Sequence, residues 1–169
     1  VLGPLTNPAG VKRQVIGVFT ADLCLPLAEV LKVLGTKHAM IVHSDDGLDE
    51  ISIAAGTQVT ELCDGIIESY HINPEDFSLQ RQSLDGLSVN SVADSADLIR
   101  RALAGADDEP AQKAAAMLAL NAGATIYVSG IAATLADGVA MAEDALASGL
   151  AGEKLQHFIA FTQSMRGRG

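Results

Sequence analysis

Two short apolar runs with an amphipathic stretch between them constrain this chain more than any other feature. Gln14 to Val18 is one run, with Gly17 inside it; Lys37 to His43, containing Ala39-Met40-Ile41-Val42, is the other. Between them Leu23, Leu27, Val30, Leu31 and Leu34 recur at helical spacing and make one apolar stripe. Short apolar runs bounded by turn residues read as buried strands. Strand, helix and strand within about 30 residues is the βαβ unit, which joins parallel strands by a right-handed crossover. Thr20 is the expected N-cap of the helix. Pro26 comes early enough to be tolerated near the first turn, and Gly35 suits the position just past the end.

The rest of the chain adds to this unit. Val1 to Ala9, with Gly3-Pro4 and Asn7-Pro8, reads as a stiff loop without regular structure, either a connector or one wall of a pocket. Thr57 to Leu62 and Ile66 to Ile72 alternate around Asp64-Gly65, a hairpin signal, so an antiparallel pair should attach to the parallel strands. Asn73-Pro74-Glu75-Asp76-Phe77 reads as one helical turn capped by Asn73. Helices follow: from Ser91 or Asn90 to about Ala104 with Leu98, Ile99 and Leu103 inward, then 111–129, 135–147 after Thr134, and 153–165. Gly123 weakens the second of these by roughly 1 kcal/mol relative to Ala. The tail Arg166-Gly167-Arg168-Gly169 is expected to fray. Length suits one domain, and the 49% hydrophobic content suits a packed core.

Chemistry is concentrated after the second strand. The apolar run ends abruptly in a loop holding Asp45, Asp46, Asp49 and Glu50, interrupted by Gly47, before Ile51-Ser52-Ile53 resumes an apolar alternation. In open α/β sheets, ligands sit beyond the carboxyl ends of the strands. A loop there is well placed for magnesium, a hard cation that takes oxygen ligands and often also contacts phosphate. The same residues also read as a solvated acidic turn, a common surface feature.

Several other classes are unsupported. His38, His43, His71 and His157 show no zinc spacing, and His43 reads as a strand-end residue or as a group near a substrate. Ser44 lacks the nucleophile elbow, the acidic loop lacks the calcium-loop spacing, and no G-x-G-x-x-G or Walker pattern occurs. The formal charge of −10 argues against a nucleic-acid partner. No apolar run is long enough to cross a membrane, and no signal peptide is visible. Cys24 and Cys63, far apart and outside any C-x-x-C, suit a reducing compartment or two buried thiols. The first residue is Val, so a preceding segment is expected.

Three motifs in combination resemble the C-terminal half of the anthranilate phosphoribosyltransferase family: Leu2-Gly3-Pro4-Leu5-Thr6-Asn7-Pro8-Ala9, Gln14-Val15-Ile16-Gly17-Val18-Phe19, and His43-Ser44 with Asp46-Gly47-Leu48-Asp49-Glu50-Ile51-Ser52. Asn121-Ala122-Gly123-Ala124 and Ser148-Gly149 fit the same family's helical tail. Pyrimidine nucleoside phosphorylases share the superfamily fold, and a relative that kept the scaffold without the chemistry is a further alternative. The resemblance implies an α/β fold with a mixed, mostly parallel sheet flanked by helices. It implies transfer of the phosphoribosyl group from phosphoribosyl pyrophosphate to anthranilate, releasing pyrophosphate, in tryptophan biosynthesis in the cytoplasm. Asp49 and Glu50 are then the magnesium ligands, and Gly3 and Pro4 line the anthranilate channel. The family's N-terminal helical domain and Gly-rich phosphate loop have no counterpart in residues 1–169, so this chain alone is expected to be inactive. A homodimer through that helical domain is also implied.

Overall fold

The structure, a computed structural model, describes residues 3–166; the expected fraying of residues 167–169 and the structure of Leu2 lie outside the described residues. Strand β1 (Arg13–Gly17) pairs in parallel with β2 (His38–Ser44), and α1 (Cys24–Val33) crosses between them. Strands β3 (Thr57–Cys63) and β4 (Ile66–Ile72) continue the sheet antiparallel, in the order β1-β2-β3-β4. The α/β fold and mixed sheet are therefore as expected. The balance within the sheet differs: two of its three pairings are antiparallel. The Asp64-Gly65 hairpin forms as expected, with both residues at positive φ; the mostly parallel sheet that the resemblance implies differs, because β3 also pairs antiparallel with β2.

Strand β2 is buried on both faces, which explains its continuous apolar run. Ala39 and Ile41 face the core beneath α1, together with Ile16, Leu27 and Leu31. Met40 and Val42 face the opposite core, formed with α3 (Glu109–Ser129) and α4 (Leu135–Ala147). Those two helices meet at glycines. A Cβ on Gly123 would lie 2.6 Å from the Val139 Cα, and one on Gly138 would lie 2.4 Å from the Gly123 carbonyl oxygen. The propensity cost of Gly123 is thus set against a close backbone approach that no larger residue permits.

Several expectations need correction. Thr20 does not cap α1 through its side chain; a 3-10 turn, Ala21–Leu23, comes first, and α1 begins at Cys24. Gly3–Thr6 forms a 3-10 turn where irregular structure was expected, in keeping with the helical φ that Pro4 imposes. The last helix, α5 (Leu150–Arg166), begins at Leu150, not Glu153. In α2 (Val92–Leu103) Leu98 is buried but Ile99 is exposed, and Val30 and Leu34 of the first stripe are exposed as well. Helical spacing locates a stripe but not its width, and the partner here covers only the centre of each stripe. By contrast, Ser91, Asp108 and Thr134 each cap a helix by accepting a backbone N–H, from Asp94, Ala111 and Asp137.

Candidate functional site

Strands β1 and β2 end side by side. The Val18 N–H donates to the Val42 carbonyl at 3.0 Å, and the His43 Nδ1 lies 2.8 Å from the Val18 carbonyl oxygen. His43 is therefore a strand-end residue that ties the two chain exits together. The acidic loop springs from this point and folds back over β1. A Cβ on Gly17 would lie 1.5 Å from the Asp49 carbonyl oxygen, so only glycine lets the loop backbone rest on the strand.

Two of the four loop carboxylates are occupied in building the loop. Asp46 accepts from the Ser52 hydroxyl at 2.6 Å and from the Leu48 N–H at 3.2 Å. Burial opposes its charge, but hydrogen bonds from Ser52, Ser44 and the backbone outweigh that and hold its pKa below the ordinary carboxylate value. Asp45 lies 3.2 Å from His71 Nε2, and its backbone N–H donates to Gly56. The chain then turns inward. Ile51, Ser52 and Ile53 are fully buried yet form no strand; the resumed alternation is a core-lining loop. Asn121 of α3 supplies the backbone bonds a strand neighbour would have made. Its Oδ1 accepts from the Ile51 N–H at 3.0 Å and its Nδ2 donates to the Ile51 carbonyl at 2.9 Å.

Asp49 and Glu50 remain. Both are exposed, and neither side chain has a hydrogen bond or ion pair among the described residues. Partial removal from water raises the Glu50 pKa, and the Asp49 charge raises it further. Two adjacent carboxylates, unpaired and held on an anchored backbone, form an oxygen-only donor set. Such a set fits a hard divalent cation that keeps its remaining positions for water or phosphate oxygen.

Gly3 and Pro4 are also exposed, in the first 3-10 turn. Pro4 borders a cleft with Asn7, Lys12, Leu31, Leu34 and Thr36. Lys12 and Thr36 precede β1 and β2, whereas Asp49 and Glu50 follow the strands' other ends, and the acidic pair does not line that cleft. Sequence reading missed the anchoring by Gly17 and Asn121. A polar Asn within an Ala-rich helix is the one signal that pointed to the latter. It also missed Lys113, buried in α3. Its Nζ donates to Ser83 Oγ and the Asp85 carbonyl and pairs with Glu109 at 2.8 Å, pinning the segment between the 3-10 turn Pro74–Phe77 and α2.

A two-faced α/β sheet with an acidic loop beyond its parallel strands defines a class, and residues 1–152 match the family model described as glycosyl transferase family, a/b domain. The chain belongs to that family. Among curated proteins it is similar to the anthranilate phosphoribosyltransferase of Cellvibrio japonicus, 60% identical over 166 residues, covering 98% of this chain and 48% of that protein. The enzyme of the same name from Teredinibacter turnerae is 60% identical over 162 residues, with 96% and 48% covered. The chain thus spans about half the length of the curated relatives it matches. The crystal structure of anthranilate phosphoribosyltransferase from Thermus thermophilus superimposes with a TM-score of 0.84 at 38% identity, covering 96% of this chain and 46% of that one. The Saccharomyces cerevisiae enzyme in complex with PRPP and Mg shares the fold, with a TM-score of 0.80 at 24% identity and 97% and 46% covered.

Proposed function

We propose that this chain is the C-terminal part of the α/β domain of an anthranilate phosphoribosyltransferase, which moves the phosphoribosyl group from phosphoribosyl pyrophosphate to the amino group of anthranilate. The carrying observation is the free Asp49–Glu50 pair on a loop whose other carboxylates are already engaged. The similarity to enzymes of that name over nearly the whole chain supports it. Asp49 and Glu50 would hold magnesium. The ion would supply positive charge to offset what gathers on the departing pyrophosphate. The raised Glu50 pKa means that the pair holds its charges at a cost, which a divalent cation relieves.

Within this reading Gly3 and Pro4 line the anthranilate channel, where a residue without a side chain and a stiff neighbour admit a flat ring. That role rests on the sequence resemblance, because the cleft beside Pro4 opens at the other end of the strands from Asp49 and Glu50. The groups that grip the phosphates and the anthranilate carboxylate belong to an upstream half, and so does the homodimer contact. Val33 on α1 and Phe158 and Phe161 on α5 are exposed at 87%, 62% and 62%, so the described segment leaves apolar faces for other chain to cover. Two free thiols and the lack, among the described residues, of any helix long and apolar enough to span a membrane accord with a cytoplasmic enzyme.

The test is loss of anthranilate fluorescence on adding phosphoribosyl pyrophosphate and magnesium to the protein with its upstream half. Turnover is expected there, none from residues 1–169 alone. Asp49→Asn with Glu50→Gln should lower turnover at least tenfold and raise the magnesium needed for half-maximal rate. A magnesium titration superimposable on that of the parent would remove the metal assignment. No turnover by the complete protein would remove the activity.

A further inference from the structure

At the far end of the same strands, three donor side chains converge that the proposed activity does not use. His38 at the start of β2 stands directly across from Cys63 at the end of β3, and Met40 stands across from Glu61. Glu61 and Cys63 are two residues apart, so they project from the same sheet face as His38. His38, Glu61 and Cys63 each offer one ligand atom, and those atoms all lie within 4.8 Å of one another. The shortest separation is 2.6 Å, from His38 Nε2 to Glu61 Oε1. The cluster is open on one side. His38 is buried and Cys63 exposed, and a cleft bordered by Glu61, Cys63, Asp64, Glu68 and Tyr127 reaches it from solvent.

Local charge is a second observation. Glu68 of β4 stands directly opposite Glu61, and like charges facing each other across an antiparallel pair are destabilising. Asp64 adds a third carboxylate to the cleft. The cation acting on Cys63 is Arg13, whose guanidinium is engaged with the Val128 carbonyl at 2.7 Å. The other partners of Glu61 are neutral: Tyr70 donates to Oε2 at 2.6 Å and Tyr127 to Oε1 at 2.9 Å. Burial and the Glu61 carboxylate push both phenols upward, Tyr127 to about 12, so both stay neutral donors and bring no positive charge to the cleft.

We propose that His38, Glu61 and Cys63 form a binding site for a zinc-class divalent cation, separate from the Asp49–Glu50 loop. Nitrogen, sulfur and carboxylate oxygen together are the donor set of a borderline-soft ion, where magnesium takes oxygen. Ligand atoms about 2.0–2.3 Å from a tetrahedral ion lie roughly 3.3–3.7 Å apart. His38 and Glu61 therefore separate slightly, and Cys63 lies within 4.8 Å of both. Glu61 Oε1 turns to the metal while Oε2 keeps the Tyr70 hydrogen bond. The fourth position faces the cleft, where water or Glu68 completes the shell. On binding, the Cys63 thiol gives its proton to solvent, and the His38 Nε2 proton shared with Glu61 also leaves, the neutral ring keeping its proton on Nδ1; the sulfur and Nε2 lone pairs form the metal bonds and no electrons are exchanged. Seven residues of β2 at about 3.3 Å each put this site roughly 20 Å from the magnesium loop.

The test is titration of the intact, chelator-treated protein with Zn2+ by calorimetry, with Co2+ as the optical probe. One Zn2+ per chain is expected at this site, with a thiolate-to-Co2+ charge-transfer band and no displacement by excess Mg2+. Cys63→Ser, a change at an exposed position, should weaken Zn2+ binding at least tenfold and abolish the band. His38→Gln should weaken it similarly, with circular dichroism confirming that the variant is folded. Asp49→Asn with Glu50→Gln should leave Zn2+ binding unchanged. Equal Zn2+ affinity in the parent and Cys63→Ser, or a Co2+ spectrum without a thiolate band, overturns the proposal.

Discussion

At one end of β2, the Asp49 and Glu50 side chains face solvent without a hydrogen bond among the described residues; at the other, Glu61 accepts from two tyrosines and touches His38. The two ends are organised by different parts of the chain. Mostly backbone builds the first: the loop rests on Gly17 and is stitched by Ser44, Leu48 and Gly56, with the Asp46 and Asn121 side chains holding it at Ser52 and Ile51. Side chains on three strands and α3 build the second. The difference follows from burial. Glu61 is largely buried between β2, β4 and α3 and needs partners to hold its charge, whereas exposed carboxylates keep theirs in water. A carboxylate left unpartnered by its own protein is available to a ligand, and the donors beside it decide which ion that is.

The largest expected effect separates the two ends. Gly17→Ala drives a methyl into the Asp49 backbone, which has no rotamer to escape through. Destabilisation of about 3 kcal/mol in urea unfolding is expected, with magnesium dependence lost and Zn2+ binding at His38 retained in the folded fraction. A variant within about 0.5 kcal/mol of the parent would mean that the loop is not anchored on β1.

A smaller effect probes the other end. Tyr70→Phe removes the phenol that donates to Glu61 Oε2 and should cost about 1–2 kcal/mol. The magnesium titration of the proposed activity in the complete protein should not move, because the two ends share no side chain. A changed magnesium requirement would show that they are coupled through the sheet.

The smallest effect is the pH-dependent share of Asp46. Its folded pKa is lowered, so its contribution is complete above the unfolded value near 3.8 and is lost as pH falls through the lower folded value. Asp46→Asn should cost roughly 0.5–1 kcal/mol at neutral pH, a figure discounted for the exposure of the side chain. Denaturation midpoints of parent and variant should converge in acid. A gap as wide at pH 3 as at pH 7 would mean that the charge contributes nothing.

Element by element, the legible parts were those set by neighbours in sequence. The caps at Ser91 and Thr134, the Asp64-Gly65 hairpin and the βαβ unit from Arg13 to Ser44 depend on residues a few positions apart, and all formed. The motif at Asp49-Glu50 was equally visible, as a run of carboxylates after an apolar strand. What escaped notice joins distant residues. Asn121 reaches Ile51 across 70 positions, and His38 meets Glu61 across 23. The histidines show no zinc spacing along the chain, whereas these three donors meet by cross-strand register.

Periodicity, turn residues and caps are local, so the amino-acid order alone determined which segments are strands and helices, where the hairpin turns and which loop gathers the carboxylates. Tertiary structure alone decided that antiparallel pairings outnumber parallel ones and that Gly17 and Gly123 are the points where backbone meets backbone. It also decided that His38, Glu61 and Cys63 share one face. Register and close packing are relations between segments, and a one-residue slip of β3 against β2 would send Glu61 and Cys63 to the opposite face from His38.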